Sequence, residues 1–112
     1  VRSTWIAEEP VIFLFPDGRR VEGRIAIAQP APATKFQGAF ECELAIDCFE
    51  QAGPIYGDSS LQALLLATQF LANEVHRFLR RGGRVLYPGE SGDAVELDVP
   101  LDAFFGALLR QR

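Results

Sequence analysis

Val11-Ile12-Phe13-Leu14-Phe15-Pro16-Asp17-Gly18-Arg19-Arg20-Val21-Glu22-Gly23-Arg24-Ile25-Ala26-Ile27-Ala28 is the stretch on which the fold turns. A β-branched and aromatic run stops at Pro-Asp-Gly, and an alternating run follows, which is the pattern of a β-hairpin. Pro16 and Asp17 suit the two central positions of a type I turn, and Gly18 suits the left-handed residue of a G1 bulge. That loop pairs Phe15 with Arg19 and Phe13 with Val21. It places Val11, Phe13, Phe15, Val21, Gly23 and Ile25 on one face. A tighter Asp17-Gly18 turn would set Phe13 against Glu22, so the apolar pattern selects the bulged turn.

Outward from the hairpin, Gln29 to Gly38 holds Pro30 and Pro32 without periodicity and reads as a loop. Phe40, Cys42, Leu44, Ile46 and Cys48 then alternate with Glu41, Glu43 and Asp47, the mark of a half-buried strand. Gly53-Pro54 breaks the chain before a helix. Asp58 and Ser59 are good N-caps, and Ser59-Ser60-Leu61-Gln62 has capping-box spacing. Nothing interrupts a helix from Leu61 to Arg81, and Gly82-Gly83 stops it. Arg84 to Tyr87 and Ala94 to Val99 read as two more strands, and Leu101 to Leu109 as a short amphipathic helix. The expected architecture is one α+β domain over residues 1–112. It has a mostly antiparallel five-stranded sheet, in the order β-β-β-α-β-β-α, packed on one long helix, with a short C-terminal helix.

Composition excludes several functions. The 112 residues are 48% hydrophobic and 23% charged, ordinary for one globular core. A net charge of −4 opposes general binding to nucleic acid or to an anionic membrane, since both need a cationic face. Arg77, Arg80, Arg81 and Arg84 make only a small basic patch. Val1-Arg2-Ser3-Thr4-Trp5 holds no apolar run of signal length, and no segment approaches the ~20 apolar residues of a membrane span. Cys42 and Cys48 on one strand would stand roughly 20 Å apart, too far for a bridge. Free thiols fit a reducing compartment, so a cytoplasmic location is expected.

Catalytic, metal and cofactor constellations are not evident. His76 is the sole histidine and falls beside the core stripe of the helix. One His and two same-strand Cys lack metal-ligand spacing, and the cysteines alternate with Leu44 and Ile46 as small core residues do. His76 lies about 25 Å along the axis from Ser59, so Asp58, Ser59 and His76 form no triad. No catalytic, metal-ligating or cofactor-binding residue is therefore assigned.

Apolar surplus is the informative feature. Leu61, Leu64, Leu65, Leu71, Val75, Phe78 and Leu79 form a stripe sufficient for one sheet. Ala63, Leu66, Ala67 and Phe70 form a second stripe, and Ile12 and Leu14 lie opposite the core side of their strand. Two readings of this surplus stand: the C-terminal helix covers it within the monomer, or it is an interface of Ile12, Leu14, Ala63, Leu66 and Phe70, serving a homodimer or a protein partner, and the interface is the expectation. An alternative is a small-molecule binder or modest enzyme with a helix–sheet pocket lined by Phe40, Cys42, Tyr56 and Phe70, suggested by the 11% aromatic content.

The stretch Tyr56-Gly57-Asp58-Ser59-Ser60-Leu61-Gln62-Ala63-Leu64-Leu65-Leu66-Ala67, after a hairpin and an alternating strand, resembles a family of small uncharacterised bacterial proteins. That family has a Gly-x-Asp-Ser-x-Gln-Ala-Leu helix start preceded by short strands. The resemblance is sharpest over these residues. It implies a bacterial protein of the same α+β plan and supplies no catalytic residues.

Overall fold

In the computed structural model, residues 5–47, 49, 53–89 and 94–96 are described. The chain is α+β, with antiparallel sheets and one long helix. In chain order the elements are β1 (Trp5–Leu14), β2 (Arg20–Ala28), β3 (Ala31–Pro32), β4 (Phe40–Cys42), β5 (Leu44–Ile46) and β6 (Ile55–Gly57). The helix α1 (Ser60–Arg80), β7 (Arg84–Pro88) and β8 (Ala94–Glu96) follow. The expected helix at Leu101 to Leu109 and the thiol of Cys48 lie outside the described residues.

The hairpin forms in the bulged register. Phe13 pairs with Val21 and Val11 with Gly23. The Phe15 amide donates to the Arg19 carbonyl at 2.8 Å, and Gly18 closes the turn on the Phe15 carbonyl at 2.9 Å. Gly18 has φ +92°, the left-handed position that the turn requires. Asp17 steadies the loop by accepting from the Arg19 amide at 2.9 Å.

The expectation of a single five-stranded sheet is corrected. The strands divide between a sheet ordered β5-β2-β1-β7-β8 and a three-stranded sheet ordered β3-β4-β6. The alternating run from Phe40 is cut at Glu43, so β4 joins the small sheet and β5 the large one. The cut coincides with contacts at the end of β2. There the Ala28 amide donates to the Glu43 carbonyl at 2.9 Å, and the Cys42 thiol donates to the Ala28 carbonyl at 3.3 Å. Two further expectations change with it: the loop after Gln29 contains β3, and Ile55-Tyr56-Gly57 is a strand rather than a lead-in.

β1 also begins earlier than its apolar run, at Trp5. It meets β7 only through Ile12–Leu86, Phe13–Val85 and Leu14–Arg84. Extending that register by two residues brings Pro10 opposite Pro88. Neither has an N–H to give, so the described ladder ends there.

α1 is closed at both ends by local hydrogen bonds. Ser59 is the N-cap, its Oγ accepting from the Gln62 amide at 3.1 Å, while Gln62 Oε1 accepts from the Asp58 amide. At the other end the Gly82 amide donates to the Leu79 carbonyl (3.1 Å) and the Gly83 amide to the Phe78 carbonyl (3.0 Å). With Gly82 at φ +93° this is a Schellman motif.

The core lies between α1 and the two sheets. Ala63, Ala67, Leu71 and Val75 supply the helix side, facing Val11, Phe13, Cys42, Leu44, Ile46 and Val85. Phe13, Phe15, Phe49 and Phe78 close one end, with ring centroids 5.2–5.9 Å apart in tilted and edge-on pairs. Among the described residues, no helix is long and apolar enough to cross a membrane.

Candidate contact surface

The line Ala63-Ala67-Leu71-Val75, in steps of four, is the buried edge of α1. Small side chains start it because the strand beneath comes very close. A Cβ on Gly57 would stand 2.5 Å from the Ala63 backbone nitrogen and 2.9 Å from its Cα. Ala63 is fully buried there. With the alanines turned inward, the neighbouring leucines turn outward.

Leu61, Leu65 and Leu66 are 62%, 54% and 45% exposed. Leu61 and Leu65 were expected in the core stripe, and the structure corrects this. They stack one turn apart. Leu66 lies 100° further round, with Gln62 between. Half-buried Leu64 and Phe70, both packed on the core, flank the ridge. Residues 59–73 contain no charged side chain, the longest such run in the chain. The polar groups beside the ridge are partnered internally. Thr68 Oγ1 donates to the Leu64 carbonyl at 2.8 Å, and Gln69 Nε2 to Asn73 Oδ1 at 3.1 Å. Charge returns only in the last two turns, where Arg77 pairs with Glu74 at 3.1 Å.

The five residues singled out from the sequence do not form one surface. Ile12 is 1% exposed and Ala63 0%, so neither is accessible. Alternation along β1 places Ile12 and Leu14 on the face away from Phe13 and α1. Leu14 and Phe70 are half-buried. Leu66 alone is an exposed large side chain, and its neighbours on the surface are Leu61 and Leu65. Treating Ala63 and Ala67 as the buried line would have located them, since the same helical period then turns Leu65 and Leu66 to solvent.

The proposed pocket residues also separate. Cys42 is fully buried, and burial pushes its thiol pKa above the ordinary 9.0. Phe40 and Phe70 pack on the core, but Tyr56 alternates onto the opposite face of β6 from Ile55 and Gly57. There it meets Phe36 edge-on, with ring centroids 4.9 Å apart. Phe40, Cys42, Tyr56 and Phe70 therefore do not converge on one cavity.

Other polar centres are structural. The Arg24 guanidinium donates to Glu8 at 3.2 Å and Asp47 at 3.4 Å, and lies 4.8 Å from the centre of the Trp5 ring. The hydrogen bond to Glu8, followed by the charge of Asp47, raises its pKa further, so it carries a permanent charge. Half-buried His76 lies along α1, separated from Asp58 and Ser59 by most of the helix. Among the described residues, no three His, Cys, Asp or Glu side chains are placed to hold a metal ion. No family model, curated protein or solved structure matches the chain.

Proposed function

We propose that this protein is a non-catalytic binding or accessory module that docks another protein chain on the first half of α1. The observation that carries the reading is the exposed Leu61-Leu65-Leu66 ridge inside the uncharged run 59–73. Single exposed leucines are commonplace. Three on adjoining turns, with no charged residue among them and with the intervening Gln62 already hydrogen-bonded to the Asp58 amide, form an uncharged, largely apolar surface of the kind used for protein contacts.

A photo-crosslinking amino acid at position 65, with position 19 on the hairpin tip as control, tests this in cells. The expected result is a discrete protein adduct at 65, formed with a second copy or another chain, and none at 19. Equal yields at both positions, or no adduct at 65, would refute it.

A further inference from the structure

We propose that the chain docked on this ridge is a second copy, with the two α1 helices antiparallel about a two-fold axis between Ala67 and Thr68. This rests on the ridge being a protein-contact surface, and adds the partner and its orientation.

Charge distribution supports the pairing. Each chain carries a net −4, so two copies approach most easily through surface without charge. Near a two-fold axis, moreover, a charged residue lies close to its own twin. Residues 59–73 avoid that repulsion along the central turns of the helix. The charges at the ends of the run are opposite in sign. Asp58 is exposed just before the helix, and the Arg77 side chain, though paired with Glu74 of its own chain at 3.1 Å, is 59% exposed near its end.

An axis between residues 67 and 68 sets Asp58 of one copy opposite Arg77 of the other, twice by symmetry. It sets Gln62 opposite Asn73, Leu66 opposite Gln69 and Leu65 opposite Phe70. Leu65 and Leu66 thus lie near the axis, Leu61 is set opposite Glu74, and opposite charges meet at both ends. Antiparallel helices also bring each N-terminus beside the partner's C-terminus, which suits their dipoles. A parallel arrangement would pair Asp58 with Asp58 and Arg77 with Arg77.

Native mass spectrometry of the full chain, with circular dichroism to verify folding, tests both partner and orientation. Wild type is expected at twice 12.4 kDa. Leu65→Asp is expected as a folded monomer. Asp58→Arg and Arg77→Asp should each weaken the dimer several-fold. Mixing these two variants should give heterodimer well above the statistical half, because only the mixed pair restores both attractive contacts. A wild-type monomer, or a dimer indifferent to Leu65→Asp, would overturn the proposal. A statistical mixture would overturn the antiparallel register. A wild-type monomer that still crosslinks to a different protein at position 65 would overturn self-pairing and leave the contact-surface reading intact.

Discussion

Gly57→Ala adds one methyl group where β6 passes under the start of α1. Gly57 is not among the glycines with positive φ, so alanine can adopt its backbone conformation. Reduced freedom of the unfolded chain alone would then stabilise the variant by about 0.4–1 kcal/mol. Packing predicts the opposite sign. The new Cβ would lie 2.5 Å from Ala63 N, 2.9 Å from Ala63 Cα and 3.0 Å from the Gln62 carbonyl carbon, against at least 3.4 Å for ordinary contact. Relief requires the strand and helix to part by about 0.9 Å (3.4 − 2.5). A gap of roughly 0.5–1 Å forfeits a quarter to a half of each dispersion contact along the seam. Overpacking of this kind costs about 1–3 kcal/mol, so the net expectation is about 1–2 kcal/mol of destabilisation. With a urea m-value of about 2 kcal/mol/M, the unfolding midpoint falls by roughly 0.5–1 M. Because the obstructing atoms are backbone, adding Ala63→Gly does not rescue the variant. An unchanged or raised midpoint for Gly57→Ala, or recovery in the double variant, would refute the reasoning.

Other perturbations test separate parts of the structure. Gly83→Ala drives a Cβ into the ring of Phe78, a side chain, so it should destabilise by about 1–3 kcal/mol and, unlike Gly57→Ala, recover partly when Phe78 is also shortened to Leu. Ser59→Ala removes the N-cap acceptor and should cost about 0.5–2 kcal/mol in urea unfolding. Leu65→Gln should leave the folded monomer within about 0.5 kcal/mol of wild type, whereas Leu71→Ala, on the buried edge, should cost about 2–5 kcal/mol. Cys42 should react with a thiol reagent only as the protein unfolds. Because burial raises its pKa in the folded state, its contribution to stability is complete below the unfolded thiol pKa and is lost as pH rises through the folded value. Denaturation measured above pH ~9 should therefore show a decline that Cys42→Ala makes shallower.

Features set by neighbouring residues could be read from the sequence, and features set by distant ones could not. The hairpin register follows from Pro16-Asp17-Gly18, and both helix ends follow from Ser59 and Gly82-Gly83, since turns and caps act over a few positions. Division of the strands into two sheets depends on Glu43 meeting Ala28 across fifteen residues, which no local pattern signals. The first half of β1 was hidden because Glu8, Glu9 and Pro10 lack the composition of a strand. The outward turn of the leucines is illegible for a related reason. Leucine outranks alanine in apolar character, so Leu61 and Leu65 were assigned to the core. Yet Gly57 brings β6 so close that only Ala63 fits beneath the helix. The helix start from Gly57 to Ala63 has a packing account of its own: Gly57 for close approach, Ser59 and Gln62 for capping, and Ala63 for burial.

The central claim, that the leucine ridge of α1 is a protein-contact surface, is tested most directly by carbene footprinting of the chain. The labelling should be compared between native extract and the purified protein at nanomolar dilution. The account predicts strong labelling of Leu61, Leu65 and Leu66 in the dilute chain and marked protection of the same three in extract, with the hairpin tip at Arg19 labelled alike in both. Equal labelling of the ridge in the two states would contradict it.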